Sequence, residues 1–134
     1  MNSIQLDLGN STEKRVSNFF HNKGYWSIIL PKNVNGQPFD IIACKENSTW
    51  FVDAKHLESS KASFSFDRIE SNQELSMRFA KEFANINNLG FVVEWERADY
   101  SLFFLSYEEF IKMKKNGSKS VKISDLAILE DIIK

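Results

Sequence analysis

Apolar positions along the chain change period several times, and each change marks a predicted element. Asn10 followed by Glu13 reads as a helix start, with Val16, Phe19 and Phe20 at helical spacing and Gly24 as a stop, so residues 11–23 are expected to be helical. Residues 25–30 (YWSIIL) are aromatic and β-branched and predict a strand. The turn-rich stretch 31–38 (PKNVNGQP) follows. Residues 39–44 (FDIIAC) and 49–55 (TWFVDAK) are two apolar runs joined by the polar residues 45–48, an antiparallel hairpin pattern. Residues 56–66 begin polar and then alternate. Asp67 and Glu70 read as a second capping box opening a helix to about residue 87. Residues 91–95 and 100–105 predict two more strands. Ser106 and Glu109 cap a helix through about residue 115, residues 115–118 form a loop, and 124–133 predict a last helix. The order α-β-β-β-α-β-β-α-α describes an α/β (α+β) mixed sheet with packed helices, distinct from a doubly wound sheet.

At 134 residues, 43% of them hydrophobic, one domain over 1–134 is expected, with a loose leader at 1–10 and a basic loop and helix at 116–134. Cys44 is the one cysteine, so no internal disulfide can form, and with only His21 and His56 no Cys/His zinc cluster can be assembled. The opening residues show no cleavable signal pattern, and no apolar run approaches the ~20 residues a membrane helix needs. A cytoplasmic setting without membrane contact is expected. No GxGxxG or GxxxxGK is present, which argues against a nucleotide or other small-molecule cofactor. The net charge of −1 gives no bulk attraction to nucleic acid.

Two acids inside apolar strands carry the chemistry. A carboxylate in PFDIIAC (Asp40) or WFVDAK (Asp53) is costly unless paired, hydrogen-bonded or metal-bound. A hairpin turning through 45–48 sets Asp40 opposite Asp53, with Cβ atoms about 5 Å apart. A divalent cation relieves the repulsion of such a pair, and oxygen-only ligands suit Mg²⁺ or Mn²⁺. Lys55 shares the face of Asp53 by period-2 alternation and could position water or steady developing charge. Simpler readings stand beside these. Asp53 and Lys55 could form a surface pair, Asp40 could end a strand at a solvated edge, Glu13 could be a capping residue, and Gln73 an exposed helical amide. His56, on the opposite face of the strand, reads as a bystander or DNA contact, and Cys44 as core.

Asp40, then Asp53-x-Lys55 on the next strand, behind a helix bearing Glu13, resembles the PD-(D/E)xK nuclease superfamily. The ordered segments PFDIIAC, WFVDAKH, SFSF, SNQELSMRFAKEF, GFVVEW and LFFLSYEEF resemble RecU-type Holliday junction resolvases, phage relatives included, and NSTEKRVSNFFHNKGYWSII resembles the opening of archaeal-type resolvases. The resemblance implies a restriction-endonuclease-like core. It implies Mg²⁺ (Mn²⁺ substituting) held by Glu13, Asp40, Asp53 and the Ala54 carbonyl, with Lys55 on the attacking water and Gln73 near the centre. It further implies hydrolysis of DNA at four-way junctions, in recombination, repair or phage DNA processing, by a homodimer whose two-fold matches the substrate. Alternatives are a nuclease of the superfamily with another DNA substrate (restriction-type or end-processing) and a non-catalytic DNA-binding module. Lys61, Arg68, Arg78, Lys81, Lys112, Lys114 and Lys115 are the expected phosphate contacts, or else a solvated basic face. The sequence departs from the pattern where Phe39 separates Pro38 from Asp40, where Asp53 stands for the commoner Glu, and in the brevity of 31–38.

Overall fold

The computed structural model describes residues 3–32 and 38–134, with side chains from residue 11 onward. Helix α1 (Ser3–Asn22) leads into strand β1 (Trp26–Ile29), and the hairpin β2 (Ile41–Lys45) and β3 (Ser48–Leu57) follows. A short strand β4 (Ser63–Ser65) and a 3-10 turn precede α2 (Ser71–Ala84). Strands β5 (Asn88–Trp95) and β6 (Ser101–Ser106) come next, then α3 (Tyr107–Lys115), β7 (Ser120–Lys122), β8 (Ala127–Ile128) and α4 (Leu129–Ile132).

The main sheet has six strands in the order β1-β2-β3-β5-β6-β8. β3 and β5 run parallel, joined through α2, and the other neighbours are antiparallel. β4 and β7 form a separate two-stranded ribbon. Alternation along β3 divides the core. Trp50 and Val52 face Val16 and Phe20 of α1, with Leu129 and Ile133 beside them. Leu57 faces the other side, where Met77, Phe91, Phe110 and Phe64 pack. The alternating strands thus bury both faces of the sheet, as a layered mixed α/β fold requires.

The hairpin register is the expected one. Ile41 pairs with Val52 and Lys45 with Ser48, leaving Glu46 and Asn47 as a two-residue turn with Glu46 at φ 51°. Gly90 lets β5 lie close to β6. A Cβ there would sit 2.3 Å from the Leu105 carbonyl oxygen, on backbone that cannot swing away. Gly90→Ala is therefore expected to lower unfolding stability by about 1–3 kcal/mol, the cost typical of an overpacked core. Denaturant unfolding checks this, and an unchanged midpoint would contradict it.

Several boundaries differ from expectation. The leader over 1–10 is helical from Ser3, and the Asn10–Glu13 start disappears into the middle of α1. No proline interrupts that segment, and a lone Gly9 costs a helix about 1 kcal/mol relative to Ala without ending it. The Asp67–Glu70 box is replaced by a 3-10 turn in which Ser65 Oγ accepts the Asp67 N–H. The capping box lies one step on: Gln73 Oε1 accepts the Glu70 N–H at 3.1 Å, and the Glu70 side chain accepts in return. Asn85 at φ 53° ends α2 earlier than expected. The helix expected over 124–133, part of the basic loop and helix at 116–134, is mostly not helical. Val121 pairs with Phe64, Ile128 pairs with Phe103 at the sheet edge, and what remains helical is a 3-10 turn at Ile123–Asp125 and the single α-helical turn α4. The expected loop 31–38 lies in part outside the described residues.

Candidate functional site

The two aspartates of the hairpin are cross-clamped by backbone amides. The Asp40 N–H donates to Asp53 Oδ1 at 3.2 Å, and the Ala54 N–H donates to Asp40 Oδ2 at 2.8 Å. Asp40 sits just ahead of β2, where its N–H also meets the Val52 carbonyl at 3.1 Å and its carbonyl accepts the Leu30 N–H at 2.8 Å. Both carboxylates are buried. Asp53 Oδ2, also buried, has no hydrogen-bond partner among the described residues.

Burial, and then the charge of Asp40, push the Asp53 carboxyl up to about 8. Glu13 is buried as well. Desolvation raises its pKa, and the Lys32 contact offsets only part of that rise. Lys32 completes this end of the site. Its ammonium contacts Glu13 Oε1 and lies 3.6 Å from Asp40 Oδ1. Desolvation pulls the Lys32 ammonium down, but its carboxylate partners outweigh that and leave it raised.

Lys55 lies on the Asp53 face, as expected. Its Nζ donates to Gln73 Oε1 at 3.0 Å, the same oxygen that caps α2. Gln73 is thus more than an exposed amide: it ties the lysine to a helix start. Burial pushes the Lys55 pKa down, with Asp53 and Asp40 opposing and Arg68 adding to the fall. A lysine so placed gives up a proton more readily than a free one.

Of the other basic residues, Arg68 sits near enough to act on Lys55, and its guanidinium lies 5.4 Å above the Phe64 ring. Lys61 is exposed in the loop before β4. The remaining five lie on α2 and α3. Lys81 pairs with Glu108, Lys114 with Glu74 at 2.9 Å, and Arg78 loosely with Glu82 at 4.0 Å. Lys112 and Lys115 line a shallow groove beside Tyr107 and Ile111.

A second polar cluster, absent from the sequence reading, lies on the reverse face of the sheet. Glu94 is fully buried in β5. Its Oε1 accepts from Arg15 Nη2 at 2.7 Å and from Thr12 Oγ1 at 2.9 Å, and lies 2.9 Å from His56 Nδ1, while Arg15 Nε contacts Oε2. His56 Nε2 faces Glu96, so the expected bystander or DNA contact is an internal one. Burial raises the Glu94 pKa, but the bonds from Arg15, His56 and Thr12 outweigh it and hold the carboxyl below its usual range. Thr12 and Arg15 flank Glu13 on α1, so this anchor fixes the turn of helix that presents Glu13. Glu94→Gln is expected to destabilise the fold by about 1–3 kcal/mol, since buried donors are left with a poorer acceptor. A denaturation midpoint equal to that of the parent protein would refute the anchoring.

The chemistry of the donors suits a divalent cation. Glu13, Asp40 and Asp53 offer carboxylate oxygens only, Asp53 Oδ2 is an orphaned buried acceptor, and a cationic group already sits between Glu13 and Asp40. Glu13 and Asp40 interact side chain to side chain, and Asp40 is clamped to Asp53 through backbone amides. Among the described residues no group of three or more His, Cys, Asp or Glu side chains is arranged to hold a metal ion. Ala54, expected to lend its carbonyl, lies between Asp53 and Lys55 with its N–H on Asp40.

No helix among the described residues is long and apolar enough to cross a membrane. No protein-family model matches the chain, and no curated protein matches it by sequence. Among solved structures it is similar to Hjc of Archaeoglobus fulgidus, a Holliday junction resolvase from an archaeal hyperthermophile. The TM-score is 0.68, and the match covers 94% of this chain and 100% of that one at 12% sequence identity. A likeness at that identity speaks for architecture, and the chain has the restriction-endonuclease-like fold, a central mixed sheet flanked by helices.

Proposed function

We propose that this protein is a Mg²⁺-dependent endodeoxyribonuclease that cuts four-way DNA junctions, acting as a homodimer. One observation carries the nuclease reading: Asp40 and Asp53 are clamped side by side with an orphaned oxygen on Asp53, and Lys55 lies on the same strand face, held by Gln73. The same fold in a Holliday junction resolvase supports the choice of substrate.

When bound, a divalent cation supplies Lewis-acid activation of water and neutralises phosphate charge. Glu13, Asp40 and Asp53, with the Ala54 carbonyl, would hold it. The chain's own residues do the rest. The amide clamps fix the two carboxylates before any ligand arrives. Lys55, with its pKa lowered by burial, orients the water and in its neutral amine form accepts the water's proton, becoming the ammonium, while Gln73 Oε1, accepting from Nζ, sets the direction of the side chain. Arg68 offers a guanidinium to a neighbouring phosphate oxygen. Two copies related by a two-fold would make paired cuts on a two-fold substrate.

The test is a labelled synthetic four-way junction beside a linear duplex of the same sequence, with and without Mg²⁺. Paired symmetric nicks in the junction alone are expected. Cleavage of both substrates would retain the metal site and replace the junction with a broader DNA substrate. Tight junction binding without cleavage in Mg²⁺ or Mn²⁺ would reduce the protein to a DNA-binding module.

A further inference from the structure

Lys32 belongs to the acid site, yet nothing in the pattern of the chain singles it out. Its ammonium contacts Glu13 and approaches Asp40, while its side chain stays 52% exposed. The two acids beneath it are buried. Lys32 thus caps the site from the solvent side and has an open exit. We propose that Lys32 and a divalent cation are alternative occupants of the Glu13–Asp40 pair, so that metal loads only as the lysine leaves. This rests on the metal-site reading above.

Three observations support exchange over shared occupancy. First, an oxygen-ligated Mg²⁺ sits about 2 Å from its donors, which would set it against an ammonium already contacting the same carboxylates. A dication and an ammonium that close repel strongly in a partly buried site. Second, the Glu13 and Asp40 carboxyls interact with each other and share the one ammonium, while among the described residues no group of three or more His, Cys, Asp or Glu side chains is arranged to hold a metal ion, so it is the lysine that fills the place between them. Glu13 can close on a metal once the lysine no longer holds it. Third, Lys32 is tethered. Two residues earlier, the Leu30 N–H is fixed to the Asp40 carbonyl at 2.8 Å, so the displaced ammonium stays within a side chain's length of the site.

The lysine therefore does opposite things in the two states. It neutralises buried carboxylates in the metal-free protein and competes with the cation that replaces it. Removing it should destabilise the first state and favour the second. The experiment is Mg²⁺ titration of the full chain without DNA, by calorimetry and by thermal unfolding, for wild type, Lys32→Met and Lys32→Gln, with Asp40→Ala as control. Both Lys32 variants are expected to melt lower than wild type without metal and to bind Mg²⁺ on the order of tenfold tighter, a typical coupling between competing sites. Asp40→Ala is expected to lose binding. Equal or weaker Mg²⁺ affinity in both Lys32 variants, with saturable binding still lost in Asp40→Ala, would overturn the exchange and leave the metal site standing. Absence of saturable binding in wild type, or binding indifferent to Asp40→Ala, would overturn both.

Discussion

Asp53→Asn is expected to lower junction cleavage by more than about 100-fold, the upper cost of disturbing even an outer-shell partner of a metal, while leaving the fold and junction binding intact. The amide keeps the shape of the side chain, and its oxygen can still accept the Asp40 N–H that Asp53 Oδ1 accepts at 3.2 Å. What is lost is the anionic oxygen at the orphaned Oδ2 position. The metal-free protein already favours a neutral group here, because burial and Asp40 hold the Asp53 carboxyl up at about 8. Near neutral pH the variant should therefore unfold at or slightly above the parental midpoint. Cleavage and binding assays in Mg²⁺, with a thermal melt of each protein, check the prediction. Cleavage within a few fold of the parent would remove Asp53 from the site, and loss of junction binding with the fold intact would give it a different role.

The second large effect is the dependence of metal binding on pH. The folded protein keeps a proton on Asp53 up to about pH 8, whereas the unfolded chain releases it near 3.8. This raised value makes a contribution to stability that is complete below about pH 4 and is lost as pH rises through 8, so the metal-free protein should weaken across that window. Metal binding runs the other way. The proposed cation needs the ionised carboxylate, so its binding at pH 7 should expel the proton, and affinity should climb by about tenfold per pH unit from pH 6 toward 8. Glu13, also raised by burial, adds in the same direction. Calorimetry in two buffers of different ionisation heat reads the proton directly. A metal affinity flat from pH 6 to 8, with no proton released, would show that Asp53 is ionised before the metal arrives.

The half of the site that lies in the hairpin was legible in the sequence, because two apolar runs about a short polar stretch admit one register and that register sets Asp40 against Asp53. The alternation that put Lys55 beside Asp53 is equally local. Gln73 could be named only through resemblance. Its geometric reason, one oxygen serving both Lys55 and the start of α2, needs the crossover to be built. Lys32 lies in an aperiodic loop, where spacing carries no signal. Glu94 was within reach: FVVEW places an acid in an apolar strand, the same sign that marked Asp40 and Asp53. Its partner Arg15 is 79 residues away, and no local pattern joins them. The C-terminal strands span two and three residues, too short for periodicity to separate from a helix.

The Arg15–Glu94 tie also bears on the order in which the chain assembles. The β2–β3 hairpin closes over a two-residue turn and needs nothing distant. The anchor of α1 waits for β5, which pairs parallel to β3 only after the whole α2 crossover is in place. Contacts between segments so far apart in sequence form late, because loop closure must precede them. A chain emerging during synthesis is thus expected to set Asp40 against Asp53 before the Arg15–Glu94 tie fixes the turn of helix that presents Glu13. The nascent protein is expected to carry a half-built acid cluster, and the nuclease activity proposed above would arrive only with the closing of the sheet.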